Sequence, residues 1–145
     1  KELLPRHIGH EQRGVGLVKQ LCERYKIPNE YKELAVLVSK EHLNIHRYAE
    51  LNDTTRVKVL ERLDAFRKPA RFQQILIACL ADALGRGGEP RQYPALEKWQ
   101  AAFEVVTQID LDPLKASLAA GEIEPALMKQ KIHQLRVQAI RRMPD

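Results

Sequence analysis

The chain is poor in cysteine, in aromatic residues and in long apolar runs, and each shortage excludes a class of protein. Its only cysteines, Cys22 and Cys79, lie far apart in apolar helical patterns, which favours reduced, buried thiols over a disulfide framework. No apolar run approaches the roughly 18 residues that a membrane span needs. Aromatic residues make up 6% of the chain and are not interleaved with basic ones, as a stacking platform for single strands would require. We therefore expect a cytoplasmic protein with no membrane partner.

The remaining composition is that of a soluble globular protein. Of the 145 residues, 44% are hydrophobic and 30% charged, enough for one domain or a piece of one. A net charge of +5 points weakly to an anionic partner. The chain opens on Lys1 without Met or a signal peptide, so the sequence predicts a fragment.

Apolar residues recur with helical spacing along the whole chain, and no alternating strand pattern is present. We therefore predict an all-α helical bundle. Asn52-Asp53-Thr54 is typical of a helix N-cap, and the glycine-rich stretch 85–90 is the clearest loop. The predicted helices cover approximately 15–22, 34–45, 54–66, 70–84, 94–106, 113–120 and 122–143.

Four of the five histidines fall in two clusters. His7 and His10 lie just before the first long helix, while His42 and His46 share one face of the second because they are four residues apart. Imidazoles in such groups are candidate ligands for transition metals. The alternative is structural: half-buried histidines hydrogen-bonded to neighbours, and exposed histidines on an N-terminal arm.

Asp82 lies at the end of the very apolar fourth helix. A carboxylate there is costly to bury unless it is paired or binds a metal. Two interpretations remain open: Asp82 is a metal ligand, or it forms an ion pair with Arg86 one turn later.

Basic residues concentrate after the third helix and on the last one. They are candidates for contacts with RNA phosphates, and the alternative is a solvated basic helix face. The candidates are Arg67, Lys68, Arg71, Lys129, Lys131, Arg136, Arg141 and Arg142.

Several segments, in their order and spacing, resemble the HD domain of gammaproteobacterial multifunctional tRNA nucleotidyltransferases, the CCA-adding enzymes. They are PRHIGHExxG at 5–14, VxxEHxxIH at 38–46, DAFRKP at 64–69, Ala81-Asp82, GRxG at 85–88 and Tyr93-Pro94. The similarity extends over nearly the whole chain. It implies an HD-domain-like helical bundle with a C-terminal helical extension: a partial HD-like domain over 1–88 and a helical tail packed on it over 89–145.

The resemblance also implies two activities for a longer parent protein. A nucleotidyltransferase domain outside this chain would add the 3′-terminal CCA to tRNA from CTP and ATP with Mg²⁺. The HD domain would hydrolyse phosphoesters, as a phosphatase, 2′-nucleotidase and 2′,3′-cyclic phosphodiesterase, with Ni²⁺ or another divalent transition metal. By this likeness the residues that could line the metal site are His7, His10, His42, His46 and Asp82.

The chain departs from the family pattern at the residues that give the HD domain its name. It contains no His-Asp dipeptide, Ile8 stands where relatives often carry a second His, and Leu43 follows His42 where an Asp can follow. The polymerase motifs, a Gly-Ser-rich turn and paired carboxylates, are missing too. We therefore expect that the chain alone neither adds CCA nor hydrolyses phosphoesters well.

Two other interpretations of the sequence remain open. The chain could be a helical RNA-binding module without enzymatic activity, or a fragment of a stand-alone HD phosphohydrolase. A homodimer is possible under each interpretation.

Overall fold

The computed structural model describes residues 9–85 and 92–144, and every regular element in these ranges is helical. Short 3₁₀ turns at Tyr48–Glu50 and Pro125–Leu127 accompany the α-helices. The α-helices are α1 (His10–Arg24), α2 (Asn29–His46), α3 (Asp53–Arg62), α4 (Pro69–Leu84), α5 (Pro94–Thr107), α6 (Asp112–Ala119) and α7 (Met128–Arg141). The all-α prediction is confirmed.

Local chemistry explains where several helices begin. The Asn52 side chain accepts a hydrogen bond of 2.8 Å from the Thr55 N–H and so caps α3, as its sequence predicts. Proline is the first residue of both α4 and α5, where its missing N–H costs no helical hydrogen bond.

Two helix boundaries differ from the sequence prediction. The third helix ends at Arg62 and not near Phe66, because Asp64 adopts a left-handed conformation with φ 54° and turns the chain. The last helix begins at Met128 and not near residue 122. Glu124 is extended, with ψ 137°, as residues before a proline tend to be, and a 3₁₀ turn separates it from α7.

Among the described residues, one cluster of buried side chains forms the core. It draws on residues from both sides of the predicted division at residue 88, so the two halves share one core, and the division itself stays a prediction. The largest members are Ile45, Leu60, Leu63, Phe72, Ile75, Leu76, Trp99, Val106 and Ile140.

The first helix packs mainly against α2, and a glycine allows the two to approach closely. A Cβ atom added to Gly14 would lie 2.6 Å from the Ser39 Oγ. The Ser39 hydroxyl in turn donates a hydrogen bond of 3.3 Å to the Glu11 carbonyl. These contacts hold the start of α1 beside the middle of α2.

The most deeply buried charge is Glu41 on α2, which is 2% exposed. Arg62 on α3 donates to both of its carboxylate oxygens, at 2.7 and 2.8 Å, and the Asn44 amide donates a third hydrogen bond at 2.8 Å. Burial alone would raise the pKa of Glu41, but the hydrogen bonds from Arg62 and Asn44 and the charge of Arg62 outweigh it and lower that pKa. The ionised pair therefore ties α2 to α3.

Replacing Glu41 by Gln should lower the free energy of unfolding at neutral pH by about 2 kcal/mol, because the Arg62 charge loses its partner. The folded-state pKa of Glu41 lies below the ordinary 4.5, so the wild-type carboxylate contributes stability above 4.5 and loses it as pH falls through the folded pKa. The difference between the two proteins in denaturant unfolding should therefore shrink below pH 4.5.

Glu30→Gln is the matched control, since Glu30 is an exposed residue at the start of the same helix. Glu30→Gln should change the free energy of unfolding little, both at neutral pH and below pH 4.5. A Glu41→Gln protein as stable as the wild type at neutral pH would contradict the assigned role of the pair.

Candidate metal site and nucleic-acid interface

His46, the last residue of α2, is contacted from two other parts of the fold. Its Nε2 lies 2.9 Å from an Asp82 carboxylate oxygen near the end of α4, and its Nδ1 lies 2.8 Å from the hydroxyl of Tyr93, just before α5. The His46 side chain is 15% exposed and that of Asp82 47%, so the imidazole is largely covered while the carboxylate still reaches solvent. The structure thus brings together two of the residues that the sequence singled out.

A buried hydrogen bond fixes where His46 lies. The carbonyls of the last turn of a helix have no partner within the helix. The Trp99 indole N–H of α5 donates to one of them, the Ile45 carbonyl, at 3.0 Å, and both residues are fully buried. This bond attaches α5 to α2 one residue before His46. Helical spacing places Trp99 among the apolar residues of the predicted helix 94–106, but it cannot predict this hydrogen bond.

His42 lies one turn before His46, with the two ring centroids 5.8 Å apart and nearly perpendicular. Its Nδ1 lies 3.2 Å from the Val38 carbonyl and 3.1 Å from the Ser39 carbonyl. Both partners are acceptors, so the Nδ1 is the donor, and in the neutral ring the Nε2 then carries the lone pair. A backbone carbonyl often holds metal-binding histidines in this tautomer.

Cys79 lies on α4 one turn before Asp82. Burial, and secondarily the Asp82 charge, raises the pKa of the Cys79 thiol to about 12. A thiol binds metals as the thiolate, so this raised pKa disfavours Cys79 as a ligand near neutral pH.

The other predicted ligands and partners are only partly described. His7 and Arg86 lie outside the described residues, and of His10 only the backbone, at the start of α1, is described. Within 9–85 and 92–144 no three His, Cys, Asp or Glu side chains are grouped so as to hold a metal ion. His46 and Asp82 therefore supply an imidazole and a carboxylate, the donor types that divalent transition metals bind, but as a pair short of a complete site.

The predicted basic residues around the start of α4 form ion pairs that bind the helices to each other. Arg67 donates to Asp64 at 2.7 and 2.9 Å, while Lys68 and Arg71 donate to Glu33 of α2 at 3.1 and 2.8 Å. The Arg67 hydrogen bond is the main reason that the pKa of Asp64 is lowered, and the Lys68 hydrogen bond likewise lowers the pKa of Glu33. These charges are therefore partly neutralised within the fold.

A groove of about 690 Å³ lies between α3 and α7. At its edge the Arg136 guanidinium stacks 3.6 Å from the centre of the Phe66 ring and donates to Glu61 at 3.1 Å. The basic and aromatic residues that line it are Lys58, Arg62, Phe66, Arg67, Lys129 and Arg136. The sequence reasoning missed Lys58 and Arg62, although their spacing of four residues places them on one face of α3.

The remaining predicted RNA contacts lie outside this groove. Arg141 is 3.6 Å from Asp53 at the start of α3, Arg142 is exposed, and Lys131 is half-buried on α7. Lys68 and Arg71 line a neighbouring pocket, which shares Arg67 with the groove. Only Arg67, Lys129 and Arg136 meet in the groove.

None of the helices described here is both long and apolar enough to cross a membrane.

Curated relatives match almost the entire chain. It is 48% identical over 141 residues, 97% of its length, to the multifunctional CCA protein of Paraburkholderia phytofirmans. It is 46% identical over 140 residues to the proteins of the same name from Burkholderia mallei and Burkholderia pseudomallei. The matched region is 34% of the first relative and 33% of the other two, so the chain spans about a third of their length.

Two further comparisons give no match: no family model matches the chain, and no solved structure does. The assignment therefore rests on the curated relatives. Their alignment with the chain covers every described helix. The chain therefore corresponds to one part, about a third of the length, of multifunctional CCA proteins.

Proposed function

We propose that this chain is the part of a CCA-adding tRNA nucleotidyltransferase that carries residues of an HD-type phosphohydrolase site and an RNA-contacting tail. The observation that carries the proposal is the meeting of His46 and Asp82, from different helices, at 2.9 Å and beside His42. CCA addition to tRNA from CTP and ATP, with Mg²⁺, would belong to the part of the protein outside this chain.

The donor set fits a divalent transition metal such as Ni²⁺. His46 and Asp82 would supply two ligands, and His7, His10 and His42 are the proposed source of the others. The two donor atoms are 2.9 Å apart, close enough for both side chains to bind the same ion. A metal bound there would polarise a phosphoryl oxygen and lower the pKa of a bound water.

The structure of the site also explains why hydrolysis by this chain alone is not expected. Its described part offers a pair of ligands, and the chain has no His-Asp doublet. Binding of a metal and turnover of a phosphoester are therefore separate expectations, of which we propose the first for this chain.

Ni²⁺ titrated into the chain in a calorimeter should bind, and His46→Ala or Asp82→Ala should each weaken the affinity at least about tenfold, because each removes a ligand. His42→Ala should weaken it as well. Mn²⁺ and Zn²⁺ titrations would report whether the site discriminates among metals.

His133→Ala is the matched control for this titration. His133 lies on α7, with its Nδ1 3.0 Å from Glu61, and it belongs to neither histidine cluster. Its removal should leave the Ni²⁺ affinity unchanged. Equal affinity in the wild type and His46→Ala, or a loss only in His133→Ala, would contradict the proposed site.

A second candidate function, RNA binding without catalysis, is favoured by the groove between α3 and α7. Its lysines and arginines outnumber its acidic residues, and cations in a groove attract nucleic-acid phosphates. We propose tRNA as the ligand of this surface for two reasons. The curated relatives are named multifunctional CCA proteins, and the sequence resembles enzymes that add CCA to tRNA.

Charge reversal in the groove should weaken tRNA binding and reduce its dependence on salt. The test variant combines Lys58→Glu with Lys129→Glu. The magnitude of the slope of the logarithm of the tRNA association constant against the logarithm of the salt concentration should fall by about 1 for each of these lysines that binds a phosphate in the wild type. Filter binding at several salt concentrations would measure it.

The control for this experiment carries the same kind of charge change elsewhere. Lys19→Glu alters an exposed residue of α1, far from α3 and α7 in the sequence. It should reduce the slope less than a single reversal in the groove does. Equal slopes for the groove variant and the wild type would reject the groove as the RNA-binding surface.

A further inference from the structure

Tyr93 contacts the candidate metal site without being a metal ligand of any usual kind. Its hydroxyl lies 2.8 Å from the His46 Nδ1, and the two ring centroids are 5.7 Å apart at an interplanar angle of 76°. The Tyr93 ring is half-buried against the core, immediately before Pro94 opens α5. The hydroxyl is therefore held at one nitrogen of His46 while Asp82 occupies the other.

The two partners together determine the proton position on His46. An ionised carboxylate can only accept, so the Asp82 contact requires the proton on Nε2. A neutral imidazole has one N–H, which leaves Nδ1 as an acceptor for the Tyr93 hydroxyl. Without metal, the geometry thus selects the Nε2–H tautomer.

Engagement of Nε2 by a metal demands the opposite tautomer. The ring proton must then reside on Nδ1, which becomes a donor. A tyrosine hydroxyl can donate or accept, so it can remain bonded to Nδ1 in both states, whereas a residue with a donor only or an acceptor only cannot. The exchange moves one proton from Nε2 to Nδ1 and leaves the charge of the ring unchanged.

We propose that Tyr93 is a positioning residue for His46: its hydroxyl holds the ring at Nδ1 while Asp82 keeps the proton of the neutral ring on Nε2 in the metal-free protein, and the hydroxyl reverses from donor to acceptor when Nε2 becomes a ligand. This inference rests on the proposed metal site. It assigns to Tyr93 the orienting function that carboxylates and carbonyls perform for other metal-binding histidines.

The first test is the ¹⁵N spectrum of the His46 imidazole in the metal-free 145-residue chain, at a pH where the ring is neutral. In the wild type the Nε2 should carry the proton, and the Nδ1 should resonate as a hydrogen-bonded acceptor. In Tyr93→Phe the Nδ1 resonance should move toward that of a nitrogen without a hydrogen bond. A wild-type proton on Nδ1, or a Tyr93→Phe spectrum identical to the wild type, would overturn the proposal.

Tyr31→Phe is the matched control. It removes a hydroxyl from a tyrosine that is 57% exposed on the same helix as His46, about 22 Å away along the axis at 1.5 Å per residue. It should leave the His46 spectrum unchanged. Circular dichroism of both variants would verify that the helices remain, so that a changed tautomer is not mistaken for unfolding.

The second test is Zn²⁺ affinity, chosen because Zn²⁺ is diamagnetic and the same ¹⁵N spectra can be followed. Tyr93→Phe should weaken Zn²⁺ binding by about ten- to a hundredfold with unchanged stoichiometry, and Tyr31→Phe should not. In the Zn²⁺-bound wild type the His46 proton should be on Nδ1.

The outcomes separate the two proposals. A wild-type chain that binds no Zn²⁺ would contradict the metal site, and the inference about Tyr93 would fall with it. A wild type that binds Zn²⁺ through His46, with equal affinity in Tyr93→Phe, would overturn only the assignment of Tyr93.

Discussion

The hydrogen bond from the Trp99 indole to the Ile45 carbonyl is the constraint on which the candidate metal site depends. It satisfies a backbone acceptor at the end of α2 that would otherwise be buried without a partner, a state that costs about 1–3 kcal/mol. It also sets the position of α5 relative to α2. His46 is the next residue, so its imidazole enters the space that Asp82 and Tyr93 border. A core contact thereby determines the geometry of a polar site.

Ion pairs between helices support the same arrangement at other positions along α2. Glu41 is held by Arg62 of α3, and Glu33 by Lys68 and Arg71 at the start of α4. In the first pair the Glu41 carboxylate is buried and Arg62 is partly exposed, whereas Lys68 and Glu33 are both about half exposed, so the first pair is the stronger constraint on stability. Lys68 and Arg71, which the sequence predicts as RNA-binding residues, therefore also stabilise the fold. The groove between α3 and α7, with Lys58 and Lys129, is the surface whose charge is more available to a ligand.

Helical spacing was sufficient to predict the all-α class and most helix positions, because apolar residues at that spacing must bury one face. It failed where local backbone chemistry decides, at the left-handed Asp64 and before Pro125. It also could not tell which apolar residues of α4 face inward: Ile75 and Leu76 are fully buried, whereas Ile77 is 61% exposed.

The candidate site was predictable only in part, for a similar reason. The spacing of His42 and His46 along one helix predicts that they share a face, since that is a local property. The approach of Asp82 and Tyr93 to His46 spans 36 and 47 residues of sequence and depends on how α2, α4 and α5 pack. No local pattern contains that information. Asp82 became a candidate ligand from its place at the end of an apolar helix and from the resemblance to a family, but neither gave Tyr93 a role.

The central claim is that His46 and Asp82 are ligands of one metal ion. Anomalous diffraction at the nickel edge, from crystals of the chain grown with Ni²⁺, tests it most directly. The account predicts a peak about 2.1 Å from the His46 Nε2 and at a similar distance from an Asp82 carboxylate oxygen. Crystals with Ni²⁺ bound only elsewhere, or with no peak between these two side chains at saturating Ni²⁺, would contradict it.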